Sequence, residues 1–244
     1  MDRSRHFERL GAAYAGARPP YPAALYELLA QHGVIGPRRD VVEVGAGTGE
    51  ASRAIVAAGS RLTAVEPGPS LAVVLHERVP EASVLRCRLE EAPLPDGGFD
   101  AAVAATSFHW VDPAISLPLL HRALRRGGWL AVWRTVYGNP RAKTPFRDRV
   151  DAIVAKRGEP GRGDPLESSP TMTELEAGGW FAAVGTWQWD WSVDLTPQQV
   201  GRLFATFSNW TDVEVDEAEQ AARDCGPTVT EHYLTVLHLL RRSG

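Results

Sequence analysis

The sequence predicts a doubly wound α/β sheet, mostly parallel, with helices on both faces, and three observations carry that expectation. Apolar runs at Val41–Val44, Arg61–Glu66 and Phe99–Ala105 read as strands covered on both sides. Between them, Ala51, Ala54, Ile55 and Ala58 recur at helical spacing, as do Leu117, Leu120 and Leu124 further on. Glycines fall where strand gives way to helix and helix to strand, at Gly45-Ala46-Gly47-Thr48-Gly49, Gly59 and Gly127-Gly128. Strand and helix alternating at this rhythm require crossover connections and therefore parallel strands.

In chain order, Phe7, Leu10 and Tyr14 fall on one helical face before Arg18 to Pro22 breaks into an extended turn. Leu25, Leu28, Leu29 and His32 predict an amphipathic helix ending at Gly33. A strand over 40–44, a helix to 58, a strand over 61–66, a helix over 70–78 and strands near 83–87 and 99–105 follow. The Leu117–Leu124 helix is expected to end at Gly127-Gly128, with Trp129 to Trp133 as a fifth strand. Residues 138–180 break the rhythm. Phe146, Val150, Ile153 and Val154 predict a helix, and the glycines and prolines after Lys156 predict a loop. Its cations, Arg141, Lys143, Arg147, Arg149, Lys156, Arg157 and Arg162, suit either attraction of an acidic substrate or a solvated helix face. Trp187, Trp189 and Trp191 alternate on a strand and are expected to pack in the core, an aromatic platform being the alternative. Val200, Leu203, Phe204 and Phe207 predict another helix, and Tyr233 to Leu240 the final strand. The expected organisation is one domain: a helical lid over 1–36, a binding core over 37–137, a small helical cap over 138–180, and the last strands and substrate-side helices over 181–244.

Composition narrows the function. With 244 residues and 44% hydrophobic content a full core is affordable, and a net charge of −4 leaves no electrostatic footprint for nucleic acid. No stretch approaches the roughly 20 apolar residues of a membrane span, and MDRSRHFERL has no signal-peptide core. Cys87, expected in a buried strand, and Cys225, beside a Gly-Pro turn, have no metal-binding spacing, which suggests reduced thiols in a cytoplasmic protein. His6, His32, His76, His121, His232 and His238 form no ligand-like cluster, so no metal is expected.

The most informative segment is Val41 to Glu50, VVEVGAGTGE. Glycines without Cβ let a backbone turn lie directly against a ligand. The dinucleotide fingerprint places its third glycine three positions after the second, whereas Gly49 follows Gly47 by two. Glu43 and Glu50 flank the loop, and two carboxylates suit a ligand carrying a sulfonium and an ammonium better than a pyrophosphate. No Gly-Lys-Ser/Thr follows, so the phosphate-cradling loop is excluded. At the next strand tip, Glu66 before Pro67 is placed to accept ribose hydroxyls.

In these residues the chain resembles the class I S-adenosylmethionine-dependent methyltransferases, whose first motif has the form ExGxGxG, here Glu43 to Gly49, and whose ribose-binding acid lies in a Val-Glu-Pro-like tripeptide, here Val65-Glu66-Pro67. The resemblance implies a Rossmann-like, seven-stranded sheet and S-adenosyl-L-methionine as cofactor. Arg86 to Asp100 is similar to the family's third and fourth motifs, which implies adenine contacts near Arg88, Leu89 and Glu90. Thr106-Ser107-Phe108-His109-Trp110 and the Tyr14, Arg18, Pro19, Tyr21, Pro22 pattern resemble a branch that includes trans-aconitate methyltransferase-like proteins. Thr106 and Ser107 then border the cofactor, and Arg18 is the cation expected for its carboxylate. Tyr14, Tyr21, Phe108, His109, Trp110, Phe207, Ser208 and Trp210 are expected on the substrate side, with Thr206, Ser208 and Asn209 alternatively capping the helix after Asp212. His109 is the candidate base; otherwise it is a wall or donor of the pocket. The expected reaction is methyl transfer to a small molecule, a carboxylate or natural-product intermediate, with O-methylation favoured, by a monomer or homodimer. The alternatives are an NAD-dependent oxidoreductase and a non-catalytic S-adenosylmethionine-binding scaffold.

Overall fold

The computed structural model describes residues 16–158 and 169–244. Tyr14 of the expected lid, with Phe7 and Leu10, and Arg162 of the expected cap lie outside the described residues. The elements run α1 (Ala23–Gln31), β1 (Asp40–Val44), α2 (Glu50–Ala57), β2 (Arg61–Val65), α3 (Pro69–Arg78), β3 (Ser83–Leu85), β4 (Phe99–Ala105), α4 (Pro113–Ala123), β5 (Leu124–Tyr137), α5 (Pro145–Ala155), α6 (Met172–Glu176), β6 (Phe181–Leu195), α7 (Pro197–Ala205), α8 (Asp212–Cys225) and β7 (Val229–Arg242). The seven strands form one sheet in the order β3-β2-β1-β4-β5-β7-β6. Strands β3, β2, β1, β4 and β5 are parallel neighbours, the register running from Val41↔Leu62 on one side of β1 to Val41↔Ala101 on the other. This is the α/β, Rossmann-like architecture that the alternating pattern predicts, with the chain reversing its winding at β1 and β4, where open sheets bind ligands.

The described residues divide into two compact units. The larger comprises 20–135, 169–189 and 235–244; the smaller comprises 16–19, 136–158 and 190–234. The stretch expected to form a cap is thus shared between them.

In the larger unit, neighbouring residues of β1 feed opposite cores, as the period-2 alternation of a strand requires. Val41 joins Leu25, Leu29, Ile55, Leu62 and Trp133 on one face, while Val42 and Val44 join Phe108, Leu117, Leu120 and Val132 on the other. Trp187 and Trp189, half-buried, pack against the first of these clusters. In the smaller unit, α5, α7 and α8 enclose Phe146, Val150, Leu203, Phe204, Trp210 and Tyr233.

Three local expectations are corrected. Leu124 opens β5 and does not close α4, and Gly127 and Gly128 lie inside the strand. Leu124 pairs with Phe99 and Trp129 with Ala101, so an irregularity in the ladder absorbs the intervening residues. β3 ends at Leu85, which leaves Cys87 half-buried beyond it. The helix at Asp212 is capped by Thr211 in a capping box with Glu214, so Thr206, Ser208 and Asn209 are not its caps.

Candidate active site

The turn after β1 takes positive φ at all three glycines, 65° at Gly45, 60° at Gly47 and 88° at Gly49, but a side chain at each would meet something different. A Cβ on Gly45 would fall 2.7 Å from Cβ of Ser107, at the end of β4. One on Gly49 would fall 2.8 Å from Leu75 and 3.1 Å from Val79, so Gly49 lets α3 close on α2. One on Gly47 would meet nothing within 4 Å among the described residues. Gly47 therefore presents bare backbone to open space, the condition for a ligand lying against the loop.

Glu66, just past β2, is 5% exposed, and its carboxylate holds the loop. Oε2 accepts the Gly47 amide at 2.8 Å and Oε1 the Gly68 amide at 2.8 Å. A carboxylate oxygen accepts more than one hydrogen bond, and these two amide bonds fix the group at the edge of the loop. Pro67 is exposed beside it. The amides of Gly45 and Ala46 bond the Val65 carbonyl at 2.8 and 3.2 Å, which fixes the loop entrance to the end of β2.

The two acids flanking the loop do not present the free charges expected of them. Glu43 is 1% exposed and accepts a 2.5 Å bond from Ser52 Oγ on α2. Burial, more than repulsion from Glu50 and Glu66, pushes its carboxyl up to about 8, so it is uncharged at neutral pH. Glu50 accepts from Thr48 Oγ1 at 2.7 Å and forms a 2.7 Å ion pair with Arg78. Arg78 also bonds the Thr48 carbonyl at 2.7 Å. Arg78, at the end of α3, is a positioning residue that no motif announced. Its only sequence signal is a cation in the last turn of a helix, where the dipole favours one.

At the end of β4, Thr106 takes φ 58°, a conformation strained for a β-branched residue. Several bonds hold it. Its amide donates to the Trp133 carbonyl at 2.7 Å, and its hydroxyl lies 3.0 Å from that of Tyr21. Ser107 Oγ donates to the Val44 carbonyl, tying this turn to the root of the glycine loop. Phe108 is buried, whereas His109 and Trp110 are exposed with ring centroids 4.7 Å apart. In the segment following β3, Leu89 is buried while Arg88 and Glu90 are exposed.

The smaller unit holds the remaining expected residues. Arg18 donates to Thr206 Oγ1 at 3.2 Å and to its carbonyl at 3.3 Å, and its guanidinium lies over the Tyr137 and Phe207 rings. Trp210 is 8% exposed, edge-on to Phe204 and under the Arg157 guanidinium. Ser208 is half-buried. Among the described residues no cluster could hold a metal ion, and no helix is long and apolar enough to cross a membrane.

Comparison with known proteins agrees with this geometry. A family model for the methyltransferase domain matches residues 42–132, which span the glycine loop, the Glu66 tip and the Thr106 turn. A methyltransferase of Mycobacterium tuberculosis, itself uncharacterised, is 35% identical over 210 residues, covering 85% of this chain and 78% of that protein. A structure of a type II methyltransferase from Anaeromyxobacter dehalogenans shares the fold with a TM-score of 0.67 at 22% identity, over 92% of this chain and 97% of that one. Geranyl diphosphate C-methyltransferase from Streptomyces coelicolor, solved with S-adenosyl-L-homocysteine, shares it with a TM-score of 0.51 at 23% identity, over 91% of this chain and 76% of that one.

The chain belongs to the class I S-adenosylmethionine-dependent methyltransferases. It is accordingly a transferase with S-adenosyl-L-methionine as cofactor, and the oxidoreductase and scaffold alternatives are set aside.

Proposed function

We propose that this methyltransferase transfers its methyl group to an oxygen of a small-molecule acceptor, with the cofactor lying across Gly47 and the acceptor approaching over the Thr106–Trp110 turn. The observation that carries this reading is the pairing of an open face at Gly47 with the Glu66 carboxylate fixed beside it by the Gly47 and Gly68 amides. Gly45 to Gly49 would bound the methionine portion, Glu66 and Pro67 the ribose, and Leu89 with Arg88 or Glu90 the adenine.

When bound, the cofactor supplies a methyl carbon on a sulfonium, open to in-line displacement. The protein's part is chiefly alignment and exclusion of water. The strained Thr106 backbone, held by Trp133 and Tyr21, fixes where the β4 end faces the reacting atoms. Glu43, uncharged and bonded to Ser52, supports the loop from behind. A carboxylate acceptor reacts without a base; a hydroxyl loses its proton, and the exposed His109 imidazole is the group in the turn suited to take it. Tyr21, Phe108 and Trp110 are assigned to the acceptor side. Arg18, Phe207, Ser208 and Trp210 are retained as candidates on the smaller unit.

Calorimetric titration with S-adenosyl-L-homocysteine and with NAD, followed by a methyl-uptake screen of carboxylic acids and phenols, tests the reading. S-adenosyl-L-homocysteine should bind and NAD should not, and one acceptor class should gain a methyl ester or ether. Binding of NAD alone, or methylation at carbon or nitrogen only, would overturn it.

A further inference from the structure

One helix is tied to the glycine loop at three places, all within the larger unit. At the start of α3 the Gly68 amide donates to Glu66 Oε1 at 2.8 Å, while Oε2 of the same carboxylate takes the Gly47 amide at 2.8 Å. Towards its far end Leu75, with Val79 just beyond the helix, packs where a side chain on Gly49 would stand. At its last residue, Nη1 of Arg78 donates to the Thr48 carbonyl at 2.7 Å and to Glu50 Oε1 at 2.7 Å. The path from Glu66 to Gly47, on to Thr48, across to Arg78 and back along α3 to Gly68 is a closed ring of covalent and hydrogen bonds. Its long side is a helix of 10 residues, roughly 15 Å.

The ring matters because a loop of glycines does not set its own course. Gly45, Gly47 and Gly49 are all left-handed, and glycine holds one conformation less firmly than any other residue. Their path is therefore fixed by the groups that bond and pack against the loop. Thr48, between the second and third glycines, is fully buried, and its hydroxyl is turned to Glu50. Arg78 then takes hold of both residues, using the two hydrogens of a single nitrogen. The Arg78 and Glu50 side chains are 24% and 17% exposed, so this pair is shielded from the solvent that leaves open surface pairs worth little. A binding site is held to roughly 0.5 Å only when the residues behind it are themselves locked, and Arg78 stands behind the loop in that sense.

We propose that α3 is a brace between the ribose-side acid and the glycine loop, and that Arg78 at its far end is a positioning residue that sets where the loop meets the methionine portion of the cofactor. The proposal rests on the methyltransferase reading above and adds to it a determinant of cofactor affinity that lies outside the motifs. It also divides the labour along the ring. Without Arg78, the Gly47 and Gly68 amides still fix Glu66, so the ribose seat keeps its place. The Thr48–Gly49 half of the loop loses its tie, and the methionine portion loses the surface it lies on.

The test is calorimetric titration of the full chain with two ligands: S-adenosyl-L-homocysteine, and 5′-methylthioadenosine, which keeps the adenine, ribose and sulfur but lacks the amino-acid end. The parent should bind both. Arg78→Gln should weaken S-adenosyl-L-homocysteine by about tenfold and 5′-methylthioadenosine by no more than about twofold. Arg78→Lys, which keeps the charge without the planar fork, should show the same split at about threefold, and it carries the comparison if Arg78→Gln does not fold. A general loosening of the fold would weaken both ligands alike. Losses equal for the two ligands, larger for 5′-methylthioadenosine, or absent from both would overturn the brace, as would a parent that binds S-adenosyl-L-homocysteine but no 5′-methylthioadenosine. Failure of the parent to bind S-adenosyl-L-homocysteine would instead remove the underlying reading, and the brace with it.

Discussion

The chain leaves β1 through Gly45, Gly47 and Gly49 at φ of 65°, 60° and 88°, and it leaves β4 through Thr106 at 58°. Both exits pass through the left-handed region, yet only the first uses the residue that does so without strain. After β1 the absence of a side chain is the point: Gly47 faces open space, and Gly45 and Gly49 make room for Ser107 and Leu75. After β4 a side chain is kept at a cost of roughly 1–3 kcal/mol, and it is offset by the bonds of Thr106 to Trp133 and Tyr21. Glycine at a strand end marks where backbone meets ligand, whereas a strained threonine marks where a particular side chain must be held.

That contrast is sharpened most by Gly47→Val, which should reduce S-adenosyl-L-homocysteine affinity by about 100-fold or more, since it fills the open face and loses more than two decades of roughly 1.4 kcal/mol each. Its thermal stability should fall only by the left-handed penalty, about 1–2 kcal/mol. Gly49→Val should lose a further 1–3 kcal/mol, roughly, through overpacking against Leu75 and Val79. Equal melting losses for the two variants would break the distinction between a ligand-facing and a packing glycine.

Glu66→Ala comes next, with an affinity loss of about tenfold or more from removing charge-assisted bonds to the ribose. A folded variant that binds normally would take Glu66 out of the site.

At the β4 exit smaller effects are expected. Ser107→Ala removes the bond to the Val44 carbonyl and should cost about 1 kcal/mol in urea unfolding. Thr106→Gly exchanges relief of strain for loss of the Tyr21 bond and should leave stability within about 1 kcal/mol of the parent. If Thr106→Gly proved far less stable than Ser107→Ala, strain would not be what distinguishes this exit.

The smallest change in affinity is expected at Glu43. Glu43→Gln keeps an acceptor for Ser52 and should alter S-adenosyl-L-homocysteine affinity by no more than about twofold at neutral pH. Its effect belongs to the pH profile of stability. The folded carboxyl is raised from 4.5 to about 8, so its contribution is fully present below the unfolded value and is lost as pH rises through the folded one. Urea unfolding from pH 4 to pH 9, roughly, should therefore show a decline in the parent that Glu43→Gln flattens. Parallel profiles would mean that Glu43 is ionised in the folded protein.

Much of this was legible in the residues. The strands β1, β2 and β4 follow from their apolar runs because strands covered on both faces carry little else, and the glycine loop and Glu66 stand where a strand-turn-helix pattern puts them. What was not legible depends on burial or on distant partners. Glu43 has the position of a loop acid, but its charge is set by a core that no local pattern reports. Arg78 reaches Glu50 from 28 residues away, and His238 meets Thr186 from 52 residues away. The misplaced start of β5 has a different cause. Leu117, Leu120 and Leu124 share a helical period, and only pairing of Leu124 with Phe99 draws that last residue into the sheet.

The central claim, that the cofactor lies across Gly47 with its ribose on Glu66, is tested most directly by a crystal structure of the protein with S-adenosyl-L-homocysteine. The ribose hydroxyls should lie within hydrogen-bond distance of the Glu66 carboxylate, with the ligand in van der Waals contact with the Gly47 backbone. A ligand bound elsewhere, with no contact to the Glu66 carboxylate, would contradict it.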